Sequence, residues 1–482
     1  MTTTTLIALA PETALALAAV AGLLVGGWLP RRRQWAVRAL ALAAVAAGLV
    51  ATGFAAAGPA HTAASGSYAV DIGLHAARAA VLAGTGLVVL AGTDGLAGDR
   101  RESEAYVLLL LAAAGALVMA GANGLLLLVM GYLLASVPLY ALVAFGKDAR
   151  GTEAGLKYFL LGALFSVALL GGTTVLLAVG GATGYPALAV GLPGAHPAAA
   201  AAGAVAVLAA LLFKAGAVPA HFWVPDAAEG APAPVAAFIT TVPKIGALVA
   251  ACRLGAALPQ EAMGNWSLLV AAVSAAAMVL GNLAAFAQDG VRRLLAYSAV
   301  GQVGFLLMAV AASARAQETA LPGLLYYLAA YTLTNVGAFA AVCALPRAER
   351  LDQWRGLFGR RPWLALSLVV CLLGLVGTPP TAVFVGKLTV FTAAFDAGLV
   401  WLVVLAAATT AASLFYYLRW ILPLFQTSRE GGADSAASGP AGRWSSAVAI
   451  AAAALSLLLG VAAGPVLDWL GSGVPGISPS IL

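Results

Sequence analysis

Residues 201–232 read AAGAVAVLAALLFKAGAVPAHFWVPDAAEGAP. The run opens on small and aliphatic residues, takes in one lysine, Lys214, and meets a proline, Pro219, five residues later. An α-helix needs about 20 apolar residues to cross the hydrocarbon core of a bilayer. Proline removes a backbone donor and breaks or kinks such a helix, and the freed backbone groups must then face protein or water instead of lipid. The stretch therefore reads as a membrane span opened part-way, with an amine beside the opening.

Windows of the same length and character recur along the 482-residue chain. They can be drawn fourteen times, as spans 1 to 14 centred near residues 18, 46, 83, 113, 135, 167, 209, 244, 277, 303, 334, 378, 411 and 457. The stretch 362–395 reads either as one long broken helix or as two short ones. With 62% hydrophobic and 9% charged residues, the composition excludes a soluble globular protein, in which roughly a quarter of residues carry charge. The fold class is all-α: a polytopic integral membrane protein of about fourteen transmembrane helices. Nothing in the charge points to nucleic acid.

Arginine and lysine fall unevenly on this map. Seventeen lie in loops after odd-numbered spans, one (Arg315) lies after an even-numbered span, and seven sit within or at the ends of spans. By the positive-inside rule the odd loops face the cytoplasm and both termini face outward. A count of thirteen would spoil the alternation. The first span, whose arginines (Arg31, Arg32, Arg33) follow the apolar run, reads as retained and not as a secretory signal. The expected location is the bacterial plasma membrane, crossed many times.

Spans 4–8 and 9–13 are candidates for two copies of one five-helix unit, inverted because five is odd. Pro219, in span 7, and Pro380, in span 12, are 161 residues apart, which matches the offset of the two units. Interrupted spans at matching positions point to an ion path. The expected division is 1–104 (three helices), 105–255 and 256–425 (the two units), and 426–482 (span 14).

Four of the five lysines, Lys157, Lys214, Lys244 and Lys387, lie within spans. Each costs about 2.5 to 3.5 kcal/mol at a helix centre, and unlike a guanidinium a buried ammonium can give up its proton. The four are candidates for proton transfer, Lys157 being nearest a helix end. Ser136, Thr240, Thr241, Ser298, Tyr331 and Asn335 are candidates for ordering water between them, or else for local hydrogen bonds. His221, Asp226 and Glu229 follow Lys214 in or just after the break and are secondary candidates. Glu12, at the edge of span 1, reads as a helix-start or water-facing carboxylate. Cys252, Cys343 and Cys371 are scattered, with no metal-binding spacing. Neither a dinucleotide fingerprint nor a P-loop is present, so nucleotide or flavin chemistry belongs to other polypeptides.

FKAGAVPAHFWVPDAAEGAPAPVAAF (213–238) with Pro243-Lys244, LKYFLLGA (156–163), RRLLAYSAVGQVGFLL (292–307), LAAYTLTNVGAFA (328–340) and the Lys387 segment carry a resemblance. The chain resembles the antiporter-like membrane subunits of respiratory complex I, and within them the subunit N branch, over nearly its whole length. The resemblance implies fourteen helices in inverted repeats, broken spans 7 and 12, and a polar axis of Lys157, Lys214, Lys244 and Lys387 carrying protons. It implies other membrane subunits as partners, with NAD, FMN, iron–sulfur clusters and quinone held elsewhere in the assembly and no cofactor in this chain. One position departs: in GYLLASVPLY (131–140), Leu133 stands where the family carries a glutamate that pairs with the span 7 lysine. Two alternatives follow, a cation/proton antiporter component and a membrane-arm subunit that holds its neighbours together without conducting.

Overall fold

The computed structural model describes residues 8–259, 265–426 and 440–472. Thirteen helices among them are long and apolar enough to cross a membrane. Spans 1 to 6 are Ala10–Trp28, Trp35–Ala55, Ile72–Leu96, Glu102–Gly121, Leu125–Val143 and Ala149–Gly180. Span 7 is Pro197–Ala215, followed after a break by the short helix Trp223–Gly230. Span 8 consists of Ala233–Ile239 and Val242–Ala257, and spans 9, 10 and 11 are Trp266–Phe286, Val291–Ala312 and Gln317–Ala344. Spans 13 and 14 are Val400–Phe425 and Arg443–Val461. The segment expected as span 12 is two short helices, Pro362–Val376 and Ala382–Asp396, separated by a break. Both chain ends lie outside the described residues.

Spans 8, 10 and 11 are enclosed on nearly all sides, whereas spans 1, 2, 6, 13 and 14 turn most of their surface outward. This order follows residue chemistry. The enclosed spans carry the polar side chains Thr240, Lys244, Ser298, Gln302, Tyr331 and Asn335, while Leu160, Leu164, Val167 and Leu170 of span 6 are exposed. Span 4 runs along span 5, span 6 along span 7, span 9 along span 10, and span 11 along span 14 and the second half of span 12. Small residues permit the closest approaches. A Cβ added at Gly115 would lie 2.2 Å from the Ala135 backbone nitrogen, and one at Gly246 would lie 2.4 Å from the Ala116 carbonyl oxygen.

A hairpin of β1 (His61–Ala63) and β2 (Tyr68–Val70) closes the end of the bundle between spans 2 and 3, with Thr62 opposite Ala69. It brings about one correction. Glu12 neither caps a helix nor meets water: it is buried and accepts from Arg78 Nε at 2.8 Å, Arg78 Nη2 at 2.7 Å and the Tyr68 hydroxyl at 2.7 Å. A carboxylate at this depth needs a charged partner, and span 3 supplies one. A second pair lies close by, where Arg253 of span 8 donates to both oxygens of Asp71 at 2.8 and 2.6 Å.

Candidate functional site

The helix of span 7 ends at Gly216, whose φ of +79° is one that side-chain-bearing residues rarely adopt. A Cβ there would also lie 2.7 Å from Val224. The break is bridged by the Trp223 indole, which donates to the Phe213 carbonyl at 3.0 Å, and Trp223 stacks on Tyr158 of span 6 at 4.2 Å. Lys214 occupies the last turn before the break, fully buried. Its ammonium donates to the Ala135 carbonyl of span 5 at 3.3 Å and lies 5.2 Å from the Tyr132 ring. Tyr132 is thus the span 5 side chain facing Lys214. Leu133 turns outward and is exposed.

Lys244 and Lys387 repeat this environment. Lys244, fully buried in span 8, donates to the Ala299 carbonyl of span 10 at 3.2 Å and lies 6.0 Å from the Tyr331 ring. Its amine also approaches the span 7 break, 3.7 Å from where a Cβ on Gly216 would sit. Span 12 breaks at Gly377, with φ +88°. Lys387 folds back across that break, donating to the Val376 carbonyl at 2.8 Å and to Thr410 of span 13 at 3.3 Å, with the Phe305 ring at 4.0 Å. All three ammonium groups therefore rest on carbonyl oxygens and aromatic faces, which stabilise a cation without fixing its charge as a carboxylate would.

Span 10 joins the last two. Next to Ala299, Ser298 hydrogen-bonds the Tyr417 hydroxyl of span 13. One turn on, Gln302 donates to the Leu375 carbonyl at 2.7 Å and accepts from Tyr327, so it reaches the carbonyl adjoining the one Lys387 uses. Gln302, Tyr327, Tyr417 and Thr410 were not candidates from sequence, because each looks like an ordinary polar residue of a packed helix. Of the residues that were, Ser136, Thr240 and Thr241 bond their own helices. Tyr331 and Asn335 both reach Thr240, at 2.8 and 3.0 Å.

Lys157 stands apart from this row. Its side chain is 49% exposed and paired with Glu153 at 2.8 Å and Asp226 at 3.1 Å. Asp226 and Glu229 in turn meet Arg293 of span 10 at 3.2 and 2.8 Å. Asp226 is consequently committed to Lys157 and Arg293, away from Lys214. His221 lies in the span 7 break, its ring 4.5 Å from that of Phe222. Among the described residues no His, Cys, Asp or Glu cluster suits a metal ion.

The family profile NADH:quinone oxidoreductase/Mrp antiporter, TM, matches residues 122–413, which include both breaks and all four lysines. NADH-quinone oxidoreductase subunit N 1 of Streptomyces griseus is 55% identical over 466 residues, covering 96% of this chain and 98% of its own. The chain belongs to the subunit N family of NADH-quinone oxidoreductases. Subunit N of a Mycobacterium species is 51% identical over 93% of this chain and 95% of its own. A chain of respiratory complex I from Thermus thermophilus superposes with a TM-score of 0.82 at 34% identity, covering 96% of this chain and 100% of that one. A chain of the Mrp complex of a Dietzia strain shares the fold alone, with a TM-score of 0.81 at 22% identity over 98% of this chain and 97% of that one. As a subunit N family member, the protein is a multi-pass membrane-arm subunit, and the enzymatic activity belongs to its assembly.

Proposed function

We propose that Lys214, Lys244 and Lys387 carry protons across the membrane in an NADH-quinone oxidoreductase, driven by quinone reduction elsewhere in the complex. The observation that carries this reading is three enclosed ammonium groups without a carboxylate partner among the described residues, two beside backbone breaks and the third reaching one of them. Such groups can alternate between charged and neutral forms as their surroundings change. Buried polar atoms without a protein partner, the Tyr132 hydroxyl and Asn335 Oδ1, are natural contacts for bridging water. Lys157, Asp226 and Glu229 would load protons at the cytoplasmic mouth, where Arg293 holds the two carboxylates, and His221 would exchange them in the break. The reading includes inverted repeats at 105–255 and 256–425, termini facing outward, the bacterial plasma membrane as location, and NAD, FMN, iron–sulfur clusters and quinone on other subunits.

Lys214→Ala and Lys214→Arg complexes, reconstituted in vesicles, test it through quinone-linked proton movement. Both variants are expected to lose roughly a hundredfold or more of the coupled rate, because arginine keeps the charge but cannot exchange the proton. Undiminished pumping in either, with assembly intact on a native gel, overturns the role of Lys214. A second reading, a structural subunit that does not conduct, is favoured by Tyr132 standing where a carboxylate would hold Lys214. It predicts that undiminished pumping.

A further inference from the structure

At the junction of spans 1, 2 and 4, far along the chain from the lysine row, lies a groove of about 400 Å³ with Arg31, Gln34, Arg100, Ser103, Glu104 and Leu23 among its lining residues. Arg31 and Arg100 have no ion-pair partner among the described residues, whereas neighbouring Arg38 is engaged by Glu102 at 3.2 Å. Gln34 uses its carboxamide oxygen on the backbone nitrogen and hydroxyl of Ser103, at 3.2 and 3.3 Å, which leaves the amide nitrogen as a further donor. Gly26 forms the buried wall against Ser103, where a Cβ would lie 2.6 Å from the Ser103 Cβ, and Gly27 beside it is exposed, with nothing within 4 Å of where its Cβ would sit. The flank is apolar: Leu23 lines the groove and is exposed, as are Leu24, Trp28 (91% exposed) and Trp35, each next in sequence to a lining residue.

Tryptophans of this kind mark the depth of the lipid headgroups, and basic pockets between membrane helices suit anionic headgroups. A soluble anion would need the arginines but not the apolar wall beside them. Glu104 offsets one of the two arginine charges, which favours a singly charged phosphodiester over a phosphate dianion. We propose that this groove binds an anionic phospholipid, its phosphodiester between Arg31 and Arg100 and its acyl chains along Leu23 and Leu24.

The test uses the assembled complex in phosphatidylcholine nanodiscs doped with phosphatidylglycerol carrying a photoreactive acyl chain, with labelled residues mapped by mass spectrometry. Labelling at Leu23 and Leu24 is expected to exceed that by an equally reactive phosphatidylcholine probe. It is expected to fall about fivefold for Arg31→Gln or Arg100→Gln and roughly thirtyfold for the pair. Gly27→Leu, which puts a bulky side chain into the open space of the groove lining and leaves every charge in place, is expected to reduce it severalfold while labelling on span 13 persists. Equal labelling by the two probes, indifference to the variants, or absence of label because a neighbouring subunit covers the groove overturns the proposal. Loss of labelling on adding inorganic phosphate identifies a soluble anion as the occupant and overturns it equally.

Discussion

The Glu12–Arg78 pair shows what depth does to a single charge. Arg78 is fully enclosed and uses Nε and Nη2 on the two Glu12 oxygens, while Nη2 also reaches the Ala8 carbonyl at 2.7 Å. Removing one member strands the other, at a cost of about 3 to 5 kcal/mol, whereas replacing both by apolar residues of similar size is close to neutral. Glu12→Gln is therefore expected to lower the melting temperature of the detergent-solubilised complex and its yield, and Glu12→Leu with Arg78→Met to restore most of both. A double variant no better than Glu12→Gln would show that the pair does more than satisfy its own charges. This pair was illegible in the sequence, because 66 residues separate its members and each alone looks like a span-end charge. Lys214, Lys244 and Lys387 were legible because a lysine inside an apolar window has no cheap alternative to burial in a polar interior. Lys157 lies within the same kind of window but finds Glu153 one turn earlier and Asp226 beside it, and so it stays at the surface.

Among the elements, the two broken spans depend on their glycines as much as on their prolines. Gly216 and Gly377 hold left-handed backbone at +79° and +88°, and a Cβ would lie 2.7 Å from Val224 in one case and 2.9 Å from the Lys387 side chain in the other. Alanine at either position should cost about 1 to 2 kcal/mol in backbone strain, with the crowding added, and it should displace the amine that uses the break. Gly216→Ala and Gly377→Ala are expected to reduce both thermal stability and proton movement. Gly171→Ala, in open space on the outward face of span 6, should leave pumping unchanged and stabilise slightly, by roughly 0.5 to 1 kcal/mol. Equal effects at all three sites would remove the special role of the breaks. Pro219 and Pro380 announced the breaks in the sequence because proline cannot continue a helix. The decisive glycines were hidden among 55, and only the backbone angle distinguishes them.

For the whole molecule, which loops share a side turns on whether span 12 crosses. Its halves are fifteen residues each, either too short alone and sufficient together for a bilayer of about 30 Å. Fourteen crossings keep the arginine-rich loop before span 12 on the cytoplasmic side and send the loop after it outward. Cysteines at Gly359, Asp396 and Ser65, all exposed, sample the loops before span 12, after span 12 and after span 2. Cys252 and Cys371 are buried and Cys343 is partly so, which makes Cys343→Ala the suitable background. With a membrane-impermeant maleimide, Ser65→Cys and Asp396→Cys are expected to react in right-side-out vesicles and Gly359→Cys only in inverted ones. If Asp396→Cys reacts on the same side as Gly359→Cys, span 12 enters and leaves by one face. The break that holds Lys387 would then open to a single aqueous compartment, and a proton taken up there would return to the side it came from.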